Sequence, residues 1–340
     1  MTHPRSRYKE YLEELGYYRH GEPAAGVLSA QRLLKAVDNH DPAAIDRAFK
    51  YQTILDDRIL GVTDIFEVDG SPCIYFKHVP TEPTYDQIIR WHRSAWNHGL
   101  APMLWLVTPT HIRIYNAYAS PKENVPITED RDIELFSRIL TDLRRFKVSL
   151  ARRKIESGEF WVGRIGSRIQ KKGRIDHELV NDLSAAATKL VQTGMRGTEA
   201  NKLLLRTIFV AYLEARRIIP SGMFQERGAK SFEEVLDDPE KTNCFFDQMK
   251  ETFDGDLFPP QAPHTVQEHV TLSREQRSIL QDILQGTSPT TGQRSLEFSR
   301  YDFGVIPIEL ISSIGPMHLT QVTTSCCGCT GKIHLLNHNM

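Results

Sequence analysis

The stretch Thr63-Asp64-Ile65-Phe66-Glu67-Val68, followed by Asp69-Gly70 and then Pro72-Cys73-Ile74-Tyr75-Phe76-Lys77, decides the reading of the N-terminal part of this chain. β-Branched and aromatic residues flank an Asp-Gly dipeptide that tolerates positive φ, which predicts a tight β-hairpin. Upstream, Gln31 to Tyr51 carries helical apolar spacing through Leu33, Leu34, Val37, Ile45 and Phe49, broken near Asp41-Pro42, so two helices are expected. Downstream, Tyr85 to His98 returns to helical spacing through Ile88, Ile89, Trp91 and Trp96, and Gly99 supplies the stop. Met103 to Val107 and His111 to Tyr118 are two further strands around a Thr-Pro-Thr turn. The order α, β, β, α, β, β predicts a small mixed sheet with flanking helices, an α+β fold spanning residues 1–122.

Pro121, Pro126 and their polar neighbours mark a linker over 123–131, after which the pattern is almost entirely helical to residue 314. Helices are expected over Asp132 to Glu156, Asp176 to Thr193, Thr198 to Arg217, Phe232 to Leu236, Asn243 to Thr252 and Ser273 to Gln285. Apolar residues between Leu203 and Leu213 cover most of the circumference of the third of these, which places it at the centre of its bundle. From Gly315 to Met340 periodicity vanishes and Cys and His accumulate, and this irregular tail reads as an out-of-frame product.

Hydrophobic content of 40% and charged content of 25% are those of an ordinary globular protein, and 340 residues suffice for two cores. No apolar run approaches the ~20 residues that span a bilayer, and the N-terminus lacks an apolar export region. A cytoplasmic protein without a membrane partner is expected. The five cysteines do not form a disulfide framework. A net charge of −1 conceals segregation along the chain. Arg131 to Arg174 holds thirteen Lys and Arg against five Asp and Glu, whereas Gln225 to Pro260 holds ten acidic residues against four basic.

An Asp and a Lys on adjacent strands beside a helix resemble the site of magnesium-dependent nucleases of the PD-(D/E)xK type. The resemblance implies that Asp64 is the first carboxylate and Lys77 the water-activating lysine of a vestigial site. The position that should be acidic is Tyr75, a phenol that offers no charged oxygen at neutral pH. Glu67, three residues from Asp64 on one strand, should face the other way. A degenerate, nuclease-like scaffold is therefore the expectation, with an active magnesium-dependent endonuclease as the alternative.

The basic stretch offers Arg144, Arg145, Lys147, Arg152, Arg153 and Lys154 on one helix, then Arg164, Arg168, Lys171, Lys172 and Arg174 in a glycine-interrupted run. Clustered cations neutralise phosphates and gain affinity by counterion release, so duplex DNA is the expected partner. A solvated helix face is the competing reading. Cys326, Cys329, His334 and His338 superficially offer zinc ligands, but four residues between Cys329 and His334 are too few for a finger, and no metal is expected. Trp91, Trp96 and Trp105 are read as core.

Three blocks in order, Leu203-Leu204-Leu205-Arg206-Thr207-Ile208-Phe209 running on to Ile219, Phe253-Asp254-Gly255-Asp256-Leu257-Phe258, and Tyr301-Asp302-Phe303-Gly304-Val305-Ile306-Pro307-Ile308-Glu309-Leu310 running on to Ile314, carry a second resemblance. Together they resemble the region preceding the catalytic domain of large bacterial adenine-specific DNA methyltransferases, including type IIG restriction-modification enzymes and related phage-defence methylases. That resemblance covers about Asp176 to Ile314 and implies S-adenosylmethionine as cofactor of the full-length family, bound by a Gly-rich loop, with an Asn-Pro-Pro-Tyr motif receiving a flipped adenine. Neither motif occurs in this sequence. The expectation is a fragment truncated before the methyltransferase domain, binding no cofactor itself, inactive alone, and partnered by DNA or by the rest of the methyltransferase. Apolar surface around Val305, Ile306, Ile308 and Leu310 should then be uncovered. A non-enzymatic module binding a protein partner through Gln225 to Pro260 is a further alternative.

Overall fold

The computed structural model describes residues 7–108, 112–121, 150–163, 166–169, 171–253, 272–286 and 300–312. The expected linker over 123–131 and the tail over 315–340 lie outside these residues, as do Arg144, Arg145, Lys147 and Arg164. The chain divides into two compact units, one of Met1–Leu179 with Tyr301–Leu310 and the other of Val180–Arg300 with Ile311–Met340.

The first unit is mixed α+β. Helix α1 (Arg7–Glu14) leads into the short pair β1 (Tyr18–Arg19) and β2 (Glu22–Pro23), then β3 (Val27–Ser29), α2 (Ala30–Asp38) and α3 (Pro42–Leu55). The α2–α3 break falls where Asp41-Pro42 predicts it: the Asp41 carboxylate accepts from the Ala43 N–H and Pro42 opens α3. Strands β4 (Asp64–Val68) and β5 (Ser71–His78) then form the hairpin, with Asp69 at φ 49° and Gly70 at φ 75° in the turn. Helix α4 (Tyr85–His98) carries a Thr84/Gln87 capping box and ends at Gly99 in the left-handed region. It crosses from β5 to β6 (Met103–Val107), and β7 (Ile112–Asn116) completes a five-stranded sheet of order β3-β4-β5-β6-β7. All neighbours are antiparallel except β5 and β6, the pair that the α4 crossover makes parallel.

Side chains leave this sheet on two buried faces. Ile65, Tyr75, Leu104, Leu106 and Tyr115 meet Tyr51 and Ile54 of α3 and Ile88, Trp91 and Ala95 of α4. Phe66, Ile74, Phe76, Met103, Trp105 and Ile114 meet Leu12, Tyr17, Leu150, Ile155 and Phe160. The second face is closed by the basic stretch: α5 (Arg152–Glu156) and α6 (Glu159–Val162) lie on it, held by Tyr17 Oη donating to the Leu150 carbonyl at 2.9 Å. Trp91 and Trp105 are buried in the cores, and Trp96 is fully buried, donating to the Gly173 carbonyl at 2.9 Å, in agreement with the expectation of packing.

Tyr301–Leu310 packs within this first unit. The Asp302 N–H donates to Asn97 Oδ1 at 2.8 Å across 205 positions of sequence, Tyr301 stacks on Trp96, and Leu310 lies against Gly99. This corrects the expectation of an uncovered apolar surface. Val305 and Ile306 are each 1% exposed and Leu310 7%, and Ile308 alone of the four stays open, at 45%.

The second unit is helical as described, with α7 (Ile175–Gln192) entering it and α8 (Gly197–Ala215), α9 (Ser221–Gln225), α10 (Phe232–Val235), α11 (Pro239–Thr252) and α12 (Arg274–Leu284) following. Leu203, Leu204, Ile208, Val210, Ala211, Tyr212 and Leu213 of α8 are all buried, the central role its circumference predicts. No described helix is long and apolar enough to cross a membrane.

The Asn97 amide is fully buried, so Asn97→Ala leaves the Asp302 N–H without its acceptor. A loss of about 1–3 kcal/mol is expected in urea unfolding of the full chain.

Candidate nucleic-acid interface

Asp64 opens β4 and is 6% exposed. Its Oδ2 accepts from Tyr18 Oη at 2.6 Å and lies 3.8 Å from His78 Nε2, which is itself 3.4 Å from Tyr18 Oη. Burial pushes the Asp64 carboxyl above the usual carboxylate range, against the hydrogen bonds from Tyr18 and Thr63. Lys77 sits elsewhere. Its Nζ donates to the Gly61 carbonyl at 3.3 Å and stands 4.6 Å over the Trp91 ring, and burial lowers its pKa below the ordinary lysine value.

These contacts put Asp64 on the sheet face covered by α1 and Lys77 on the face covered by α4. The cause is the strand period of two: Asp64 pairs with Phe76, so the β5 residues that share its face are Phe76 and His78, whereas Tyr75 and Lys77 share the other. The pairing of Asp64 with Lys77 as one vestigial site is thereby corrected, since the sheet backbone stands between them. At the place facing Asp64 an acidic residue would be needed, and Phe76 is there, fully buried. Tyr75 is turned away, its hydroxyl 2.8 Å from His98 Nδ1. Glu67 faces α3, accepting from Tyr51 Oη with Arg47 at 3.7 Å, on the side opposite Asp64 as its spacing predicts. Among the described residues no three His, Cys, Asp or Glu side chains are grouped to hold a metal ion. The Tyr18 and His78 partners of Asp64 went unread in the sequence; the alternation Phe76-x-His78 is their signal, legible only once β4 and β5 are in register.

The basic stretch is the other candidate. Its described cations fall into two groups. Arg152 donates from Nε to Glu156 at 2.6 Å while its guanidinium lies 5.6 Å from the Phe66 ring centre, Lys154 pairs with Glu159, and Arg174 pairs with Asp176 at 2.8 Å beside Tyr118. These three serve the local fold as well as contributing charge. Arg153, Arg168, Lys171 and Lys172 are exposed. The run Arg152 to Arg174 contains eight Lys and Arg and two Asp and Glu, and both acids, Glu156 and Glu159, are already matched to cations of the segment. Of the described cations of this run, Arg153, Arg168, Lys171 and Lys172 lie at the surface, where a polyanion could displace their counterions. Gly173 fixes one end of this segment against the sheet: a Cβ there would stand 2.7 Å from the Tyr118 carbonyl oxygen.

No family model, no curated protein and no solved structure matches this chain.

Two outcomes follow for the hairpin. Because the folded state holds Asp64 with a raised pKa, it favours the protonated carboxyl, and stability is lost as pH rises from the ordinary carboxylate range, about 4, through the folded value. Asp64→Asn keeps an acceptor for Tyr18 without the charge, so urea unfolding should show the variant gaining on the wild type as pH rises. Supercoiled plasmid with magnesium should remain uncut by either protein; nicking lost in Asp64→Ala would show that the separated faces still cooperate.

Proposed function

We propose that this chain is the DNA-contacting, non-catalytic part of a protein related to adenine-specific DNA methyltransferases, and that it binds duplex DNA through Arg152 to Arg174. The observation that carries the reading is the exposure of Arg153, Arg168, Lys171 and Lys172 on a segment whose own acids are internally matched. The ordered blocks beginning at Leu203, Phe253 and Tyr301 supply the link to the methyltransferases. S-adenosylmethionine would be the methyl donor of such a protein, but the Gly-rich and Asn-Pro-Pro-Tyr blocks that would receive donor and adenine are absent from this sequence, and no methyl-transfer step is assigned to its residues. The nuclease alternative is weakened by the separation of Asp64 from Lys77.

Binding of this kind is electrostatic and indifferent to sequence. Lys and Arg side chains on a fixed segment meet phosphate oxygens and displace condensed cations, with the sheet beneath supplying rigidity. Positioning without base contacts gives a steep salt dependence and little discrimination among duplexes.

Fluorescence anisotropy on a labelled duplex over a salt series tests this. The wild type should bind with affinity that falls linearly on a log–log plot, and Arg153→Ala/Lys171→Ala/Lys172→Ala should reduce the slope by about 0.9 for each phosphate contact removed, roughly 3 in all. Affinity independent of salt, or a triple variant indistinguishable from wild type, would remove the DNA role.

A further inference from the structure

Resting on that DNA contact, we infer that Val162 is an apolar wedge that enters the minor groove and kinks the duplex to which the basic segment binds. Val162 is the last residue of α6 and is 84% exposed, the most open of the large hydrophobic side chains among the described residues.

Its support is rigid. The Trp161 N–H donates to the Gly158 carbonyl, Gly163 to Phe160, Ser167 to Gly163 and Ile169 to Gly166, so short-range backbone hydrogen bonds tie the described residues 158–163 and 166–169. Gly158 takes the left-handed conformation at φ 79° that opens α6. Gly166 lies so close to the preceding turn that a Cβ there would stand 2.7 Å from the Trp161 Cα and overlap the Phe160 carbonyl. Phe160, 4% exposed, plugs this knob into the sheet core, with Trp161 and Ile169 packed beside it. Phe160 is thus buried and Trp161 half-buried, while the stiff, β-branched Val162 stays open at the tip.

An isolated exposed valine ordinarily needs no explanation. Three features set this one apart: a turn built on glycines holds it out, the segment bearing it is strongly cationic, and Arg153 and Arg168 are exposed on either side of it in the chain. The occupant that fits an aliphatic tip in a positive field is a duplex groove. Phosphates take the cations, and the apolar tip is driven between base pairs whose partial unstacking bends the DNA by about 20–90°. A protein partner would require a broader apolar surface at this point.

The full chain would be titrated against a duplex of about 30 base pairs, a length over which bending is measurable, with a central TpA step and donor and acceptor dyes at its ends. Anisotropy would follow binding in parallel. Wild type and Val162→Leu should raise energy transfer at saturation. Val162→Ser, a surface change that leaves the core intact, should bind several-fold more weakly with an unchanged salt slope and give no rise. Binding by the wild type without a rise in transfer, or a rise in Val162→Ser equal to that of wild type, overturns the wedge and leaves the DNA contact standing. No binding by anisotropy ends both.

Discussion

The Tyr17 ring meets Phe66, Phe76 and Trp105 edge-on, at centroid distances of 5.1, 5.3 and 5.4 Å, and spends its hydroxyl on the Leu150 carbonyl. A phenol buried this completely must find a hydrogen-bond partner, and its burial holds the proton on by raising the pKa well above the ordinary tyrosine value. The consequence is that residues remote in sequence are fixed to the sheet. With Leu150 anchored, Ile155 and Phe160 complete the layer over Phe66 and Phe76, and of the cations between Leu150 and Ile155, Arg153 is left exposed while Arg152 and Lys154 enter local pairs. The charged surface proposed to meet DNA therefore exists because an apolar face had to be closed.

The same alternation of side chains that builds two cores from one sheet sets Asp64 and Lys77 on opposite faces of the hairpin. Moving by one residue along β5 exchanges Lys77 for His78 and carries the side chain across the sheet. What gathers beside Asp64 is a phenol and an imidazole. The carboxyl is raised, desolvated and committed to Tyr18, which suits a buried fastening between the short β1–β2 pair and β4 better than a hard divalent cation. Lys77, for its part, fills a place among Trp91 and the Gly61 backbone.

Much of this architecture was legible from local signals. Helix α4 has the bounds its apolar spacing predicts because a capping box opens it and Gly99 closes it, and the Asp69-Gly70 turn is where the dipeptide placed it. Strands β1, β2 and β3 escaped notice because runs of two or three residues carry no periodicity. The site was harder. Which face Asp64 and Lys77 occupy depends on pairing across the hairpin and on the irregularity between Phe66 and Glu67, neither of which is written in one strand alone. The basic run was readable as charge, but its attachment to the sheet rests on Ile155 and Phe160, whose helical period is interrupted by Gly158, Gly163 and Gly166. The return of Tyr301–Leu310 to α4 is a long-range contact that no window of sequence contains.

That return has a bearing on biosynthesis. As the polypeptide leaves the ribosome, Trp96 and Asn97 are made some two hundred positions before Tyr301 and Asp302, so the first unit emerges lacking one of its own pieces. Until translation passes Leu310, an indole and an amide that end up sheltered must wait in contact with water or with helper proteins. Formation of such distant contacts is slow and leaves sticky intermediates. Shortening the gene by even a dozen codons upstream of Leu310 would convert that temporary vulnerability into a permanent one.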